Sequence, residues 1–144
     1  MKIVICASIY FTYEIKELSD KLIALGHETR IPYTSKKIID GELTLGEYKK
    51  EKELRGDASF RKIKEDLIKR YYEFIKTDDA IVVLNLDKNN IKNYIGGNVF
   101  LEIGFAHVLN KPIYLYNDIP EMIYTDEIKA MRPIVIYQDL SKIN

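Results

Sequence analysis

Carboxylates carry the reactive potential of this sequence, and Glu102 is the one whose surroundings ask for an explanation. It lies within Gly96-Gly97-Asn98-Val99-Phe100-Leu101-Glu102-Ile103-Gly104-Phe105-Ala106, a window of apolar or small residues apart from Asn98 and the glutamate itself. The window reads as a helix, and a charge flanked by Phe100, Leu101, Ile103 and Phe105 is costly unless it faces an opening. In an opening, the carboxylate can act as nucleophile, acid or base. The plain alternative is a place on the helix's solvent stripe, with Asn98 and Ala106 one turn away on either side. Asp79 is a second candidate, at or just before the apolar run Ala80-Ile81-Val82-Val83-Leu84-Asn85. Its structural alternative is an aspartate that merely opens a strand. Ahead of the helix, Gly96-Gly97-Asn98 forms a turn with Asn98 as the expected N-cap. Free amides and the positive dipole end then stand where an anion can sit.

Other chemistries find little support. His107 falls deep in the same helix and His27 opens a strand, so both read as structural histidines. Cys6 is the single cysteine, which excludes an intramolecular disulfide and a multi-cysteine zinc site. Metal-ligand spacing is missing, and no cofactor is implied. Gly96-Gly97 is neither a Walker loop nor a dinucleotide fingerprint.

Composition narrows the partners. A chain of 144 residues, 47% hydrophobic and 31% charged, fits a single globular domain over residues 1–144. A formal net charge of zero without a basic tract speaks against nucleic acid. Lysine and glutamate interleaved through residues 47–76 mark a solvated helical face. Met1-Lys2 leads into a short apolar stretch that soon turns polar, unlike a signal peptide, and no apolar run nears the roughly 20 residues that span a bilayer. A cytoplasmic protein without a membrane partner is the expectation. The 11 tyrosines are of a type enriched at interfaces, the alternative being that they pack under the sheet.

The elements that must position Glu102 alternate in type. Residues 2–7 form a continuous apolar run, as in a strand buried on both faces. Ser8-Ile9-Tyr10-Phe11-Thr12 is a strand-to-helix loop, with Thr12 capping a helix lined by Ile15, Leu18, Leu22 and Leu25 and ended by Gly26. Residues 27–32 read as a short strand stopped by proline. Tyr33 to Lys37 read as loop, and 38–52 show weak periodicity, so 33–57 is expected to be a partly helical flap or insertion. Phe60, Ile63, Leu67, Tyr71 and Phe74 line the next helix, capped by Asp57 or Ser59. Strands follow at 80–85, 113–116 and 133–137, with helices at 97–109 and 121–130 and a tail or short helix after 138.

The tally predicts an α/β fold: an open, mainly parallel five-stranded sheet with helices on both faces, a flavodoxin- or Rossmann-like three-layer sandwich. Such sheets bind ligands at the carboxyl ends of their strands. The loops there supply Ser8, Ile9, Tyr10 and Phe11 after the first strand, Gly96, Gly97 and Asn98 after the third, and Asn117 after the fourth. These are the candidate binding residues.

The run Gly97 to Ala106, followed by Asn110-Lys111-Pro112-Ile113, resembles the nucleoside 2-deoxyribosyltransferase family, whose signature joins a glutamate-hydrophobic-Gly-aromatic-Ala helix to a Lys-Pro-hydrophobic strand. Cys6-Ala7-Ser8-Ile9-Tyr10-Phe11-Thr12 and Thr77-Asp78-Asp79-Ala80-Ile81-Val82-Val83 are similar to its first strand and its Asp-hydrophobic strand. The chain also resembles the 2′-deoxynucleoside 5′-monophosphate N-glycosidases of the same superfamily. The resemblance implies a small nucleoside or nucleotide substrate. It makes Glu102 the nucleophile on C1′ of a deoxyribose, giving a covalent ester while the base departs. Asp79 would protonate or orient the leaving base. Tyr10 would orient the glutamate or contact the sugar, and Ser8 with the amides around Gly97-Asn98 would hold the sugar 5′ end or a 5′-phosphate. Family sites are completed by a neighbouring subunit, which implies a homodimer or larger homo-oligomer. Two positions depart from the pattern. Gly96 stands where the transferases place an aspartate and the N-glycosidases a hydroxyl residue, leaving Asn98 or Asn93 to replace that contact. The first loop lacks the glycosidases' glycines and arginine, leaving Lys92, Arg55 or Lys36 to supply phosphate charge. Two other function classes fit the same residues: a nucleotide-binding module without turnover, and an NAD-cleaving glycohydrolase using the same glutamate.

Overall fold

Strand β1 (Lys2–Cys6) is buried along all but its first residue, as its unbroken apolar run requires. A computed structural model of the chain describes residues 1–54 and 57–144. The sheet order is β2 (Glu28–Arg30), β1, β3 (Ala80–Val83), β4 (Ile113–Leu115), β5 (Ile134–Val135), and every pairing is parallel. The chain leaves β1 toward one edge and returns beside it as β3, so the switch in winding direction lies between those two strands. The predicted five-stranded parallel α/β fold is the one observed.

Alternation along the strands sorts the core into two layers. Ile3, Ile5, Ala80, Val82 and Leu84 pack with Ile15, Leu18 and Leu22 of helix α1 (Thr12–Ala24). Val4, Cys6, Ile81 and Val83 pack with Tyr71 and Ile75 of helix α4 (Asp57–Thr77), Val99 and Ile103 of helix α5 (Gly97–Val108), and Ile128 of helix α6 (Thr125–Ala130). Gly26 ends α1 at φ +89°, the left-handed geometry expected of it. Among the described residues, no helix is long and apolar enough to cross a membrane.

Two helix starts differ from expectation. Thr12 does not cap α1; a 3-10 turn over Ile9–Phe11 runs straight into it, and Thr12 donates its hydroxyl to the Ile9 carbonyl at 2.5 Å. Gly96, not Asn98, holds the N-cap position of α5, and Asn98 lies exposed in the first turn. The extended backbone needed at the cap falls on Gly96 (ψ 172°), one residue before the helix begins.

The expected flap is largely helical over its described residues. Tyr33 to Ile39 forms helix α2 rather than a loop, and Leu45 to Leu54 forms helix α3. Buried Ser35 and Ile38 hold α2, with Ser35 Oγ 3.0 Å from Thr12 Oγ1, so tertiary contact overrides the weak propensity of Tyr-Thr-Ser. At the start of α3, Thr44 Oγ1 accepts a hydrogen bond from the Glu47 amide at 3.0 Å. Thr44-Leu45-Gly46-Glu47 carries the capping-box pattern, a signal that periodicity alone misses. The cap expected of Asp57 or Ser59, the packing of Phe60 and the charge of Arg55 lie outside the described residues and side chains.

A buried amide ties the carboxyl ends of β3 and β4 together. Asn85 donates to the Asn117 and Asp118 carbonyls at 3.2 and 2.9 Å and accepts from the Asn117 amide at 2.9 Å. Asn117 donates back to the Asn85 carbonyl at 3.1 Å and accepts from Gln138. Truncation would leave several buried polar groups without partners. Asn85→Ala is therefore expected to cost about 2–3 kcal/mol, read as a lower urea midpoint at unchanged m-value.

Candidate active site

The parallel strands bring three segments to one edge, and Glu102 projects there from α5. The Cys6 thiol at the end of β1 stands beside its carboxyl, close enough to favour the charged form. Tyr71 of α4 lies near enough for the charge of Glu102 to raise its pKa, while its hydroxyl donates to the Ile5 carbonyl at 2.7 Å. Glu102 keeps partial solvent contact as a residue, but its carboxyl is withdrawn from water, unlike one free on the outer stripe. Desolvation pushes its pKa up to about 8, against the opposing pull of the Cys6 thiol. Burial, and then Glu102 itself, push the Cys6 thiol well above its ordinary range, so that thiol is a donor and not a nucleophile. Burial likewise keeps Tyr71 protonated.

The loop from Leu86 to Gly96 forms the rim. Lys88 and Ile91 exchange backbone hydrogen bonds at 3.1 and 2.9 Å around Asn89 and Asn90, whose φ values are +53° and +59°. That is a tight hairpin turn with two left-handed central residues, a conformation that asparagine tolerates well. Asn93 (φ +57°) donates its amide to Asp87 Oδ1, and Tyr94 donates its amide to the Leu86 carbonyl. The turn fixes Lys88 so that Nζ donates to Ser8 Oγ at 3.0 Å and lies 4.3 Å from the Tyr10 ring centroid and 5.2 Å from that of Tyr94. Burial and the charge of Lys52 on α3 lower the Lys88 pKa. Tyr10 also meets Tyr48 of α3 edge-on, with centroids 6.4 Å apart.

The predicted residues thus divide. Glu102, Ser8 and Tyr10 sit at the carboxyl edge. Gly97 and Asn98 are exposed at the start of α5, where the first amides have no intrahelical acceptor. At Gly96 an added Cβ would come within 3.2 Å of the Tyr94 ring, so Tyr94 fills the space that a side chain there would need. Phe11 packs into the α1-side core, and Ile9 offers its carbonyl to Thr12. Asn117 reaches the edge, but its amide is engaged by Asn85 and Gln138.

Asp79 is not brought to Glu102. It precedes β3 at the amino end of the sheet, where its carboxylate accepts from the Lys2 amide at 2.7 Å and its own amide donates to the Lys2 carbonyl. Three strand positions separate it from Val82, or about 10 Å of rise, on the wrong end for chemistry at the edge. His107 is exposed in the last turn of α5 rather than buried in it.

Sequence reasoning missed Cys6, Tyr71 and Lys88. A tyrosine on the apolar face of a helix signals a buried hydroxyl that needs a partner, which was the available clue for Tyr71. Among the described residues, no group of three His, Cys, Asp or Glu side chains is arranged to hold a metal. A depression of about 340 Å³ lies along α4, lined by Arg61, Lys64, Glu65, Ile68 and Lys69, and shares no residue with the Glu102 cluster.

No protein-family model matches the chain, and no curated protein matches it. Among solved structures it is similar to a 2-deoxyribosyltransferase from the psychrotolerant bacterium Bacillus psychrosaccharolyticus. The identity is 20% over 80% of this chain and 71% of that one, with a TM-score of 0.52. It is also similar to a CMP N-glycosidase from Clostridium botulinum, at 15% identity over 94% of this chain and 85% of that one, with a TM-score of 0.45. The first likeness shows a shared fold.

Because the Glu102 pKa is raised in the fold above its ordinary 4.5, the native state holds a proton that the unfolded chain releases. The burial penalty is absent below pH 4.5, grows as pH rises, and is complete above about 8. Glu102→Gln is therefore expected to match the parent near pH 4 and to exceed its stability by about 1–3 kcal/mol at pH 9, after discounting for solvent contact. Urea unfolding at the two pH values measures the difference. Removing the thiol donor with Cys6→Ala should raise the Glu102 pKa further, and the stronger donor in Cys6→Ser should lower it, as followed by carboxyl NMR titration.

Proposed function

We propose that the chain cleaves or transfers the N-glycosidic bond of a 2′-deoxynucleoside or its 5′-monophosphate, through Glu102. One observation carries this reading. A single carboxyl, desolvated and set beside Cys6 at the end of β1, lies by the β1–β3 switch point, where open α/β sheets bind ligands. The fold shared with a deoxyribosyltransferase supports it.

In the proposed reaction, ionised Glu102 attacks C1′. A carboxylate oxygen–C1′ bond forms, and the C1′–N bond breaks with its electron pair leaving on the base. The base takes a proton from water at the open mouth, since Asp79 stands at the far end of the sheet. Water or a second base then attacks C1′ and releases the carboxylate. Cys6 favours the ionised nucleophile, while Tyr10, expected to orient it, lines the mouth with Tyr94 around Lys88.

Chromatography of free base from a panel of deoxynucleosides, their 5′-monophosphates and NAD tests the reading. Release that falls by about a thousandfold or more in Glu102→Ala is the expected result. No release from any compound by folded protein sinks it. A nucleophile must be ionised, so kcat/KM is expected to rise with pH and level off above about 8, tracking the Glu102 carboxyl. A fall above that pH would instead make Glu102 the acid. Asp79→Asn is expected to keep base release within about threefold, since about 10 Å of strand separates it from the edge.

A raised pKa leaves most of the free carboxyl protonated at neutral pH, which also suits a nucleotide-binding module without turnover. Tight binding of an intact nucleotide, unchanged in Glu102→Gln, sets that reading apart.

A further inference from the structure

Tyr71 makes a hydrogen bond that the register of the sheet explains. Carbonyls along β1 turn to its two neighbours alternately, as in any parallel ladder. Toward β2, the Glu28 amide donates to the Met1 carbonyl at 2.9 Å. The pairing of Lys2 with Glu28 and of Val4 with Arg30 carries that ladder forward in steps of two. The next step sets residue 32 against the Ile5 carbonyl, and residue 32 is proline, which has no N–H to give. The carbonyls of Lys2 and Cys6 face the other way and accept from the Asp79 and Leu84 amides that flank β3.

The missing donor comes from α4. Tyr71 is 7% exposed and places its hydroxyl 2.7 Å from the Ile5 carbonyl oxygen. A buried carbonyl without a partner is costly, which accounts for a tyrosine rather than a phenylalanine among Ile75, Val99 and Ile103. The ring is braced as well. Phe74, one turn on, lies tilted against it with centroids 5.8 Å apart, and the Arg30 guanidinium stands 4.8 Å from the Phe74 centroid. Arg30 is the last residue of β2 and is itself fixed by Asp78 at 2.7 Å. The strand that stops short thus helps to hold the side chain that completes its ladder.

Cys6 is the next residue of β1. Its thiol from β1 and the Tyr71 hydroxyl from α4 are the titratable groups beside the Glu102 carboxyl. Tyr71 has one proton, committed to Ile5, and none to offer Glu102 or a departing base. Its influence on the carboxyl as a donor therefore passes through the end of the strand.

We propose that Tyr71 is a positioning residue: its hydroxyl replaces the ladder donor that Pro32 lacks and fixes the Ile5–Cys6 peptide, so that the Cys6 thiol is held beside the Glu102 carboxyl. The link to catalysis rests on the glycosidic reading; the coupling of Tyr71 to Glu102 does not.

Carboxyl NMR titration of Glu102 in the full chain tests this, with Tyr71→Phe, Cys6→Ala and the double variant. Phenylalanine keeps the ring and removes only the hydroxyl. Tyr71→Phe should lower the Glu102 ionisation constant about threefold, in the direction expected of Cys6→Ala, because the thiol is no longer held. In the Cys6→Ala background the same change should leave that constant unaltered. A merely structural tyrosine would lower the urea midpoint and leave the Glu102 titration where it was, a result that overturns the proposal. Equal shifts in the two backgrounds overturn it too, since the hydroxyl then acts on Glu102 directly. A higher ionisation constant in Tyr71→Phe also overturns it, as the sign of water entering. In the parent, the Tyr71 hydroxyl proton should give a slowly exchanging NMR signal. Its absence from folded parent overturns the clamp even where the variant does not fold. Where base release is measurable, the rising limb of kcat/KM should move to higher pH in Tyr71→Phe. Coupled titrations without base release from any substrate retire the glycosidic reading and leave Tyr71 in its role. Base release with uncoupled titrations does the reverse.

Discussion

The pairing of β1 with β3 is the constraint on which the rest depends. Ile3 to Cys6 run beside Ala80 to Val83 in parallel, and the chain departs from these two strands in opposite directions. Two consequences follow from that geometry. The loops after β1 and β3 diverge and leave a crevice between them, and their side chains reach it from both sides. The alternation of β1 also sends Cys6 to the same face as α4 and α5, so the last buried residue of the strand meets the carboxyl on the helix. A register shift of one residue would turn Cys6 to the α1 face and leave Glu102 without its donor.

The site is built with a gradient of polarity. Its depth is dry and holds groups that prefer to stay neutral: the Cys6 thiol, the Tyr71 hydroxyl and, at neutral pH, most of the Glu102 carboxyl. Its rim holds positive charge without an ion-pair partner among the described residues, with Lys88 fixed by an asparagine hairpin turn and Lys52 on helix α3, none of whose residues is buried. A desolvated carboxylate is a stronger nucleophile than a solvated one, but it must first be ionised, and here the Cys6 thiol is the neighbour that favours ionisation. Rigidity follows the same division. The depth is strand and packed helix, whereas the rim is a loop and helix α3, none of whose residues is buried.

Much of the frame was legible in the sequence because buried parallel strands write themselves as unbroken apolar runs. Lys2-Ile-Val-Ile-Cys and Ala80-Ile-Val-Val needed nothing more. Glu102 stood out for the opposite reason, as a charge in an apolar window. What could not be read was polarity of placement. Asp79 borders the right strand, yet a strand has two ends, and its side chain caps the Lys2 amide at the end away from the site. Helices α2 and α3 were illegible by periodicity because Ser35 and Ile38 are the buried residues of one and the other has none. Lys88 looked like one loop lysine among several, and only the left-handed pair Asn89-Asn90 makes its direction a fixed property of the chain.

Gly96 shows how a missing side chain can be a positive feature. Any Cβ there would crowd the Tyr94 ring, and Tyr94 in turn flanks the Lys88 ammonium. A polar side chain at that position would therefore shift the ring that flanks the lysine and set a carboxylate or hydroxyl beside the cation. The two arrangements recognise opposite ligands, since an acid at the rim accepts from a sugar hydroxyl while a cation attracts a phosphate. Lys88 meets Ser8, Tyr10 and Tyr94, whereas Glu102 lies beside Cys6, so the rim and the depth are built from different residues. Evolution can then change what the mouth recognises, through residues 88, 94 and 96, without disturbing the carboxyl that Cys6 holds below it.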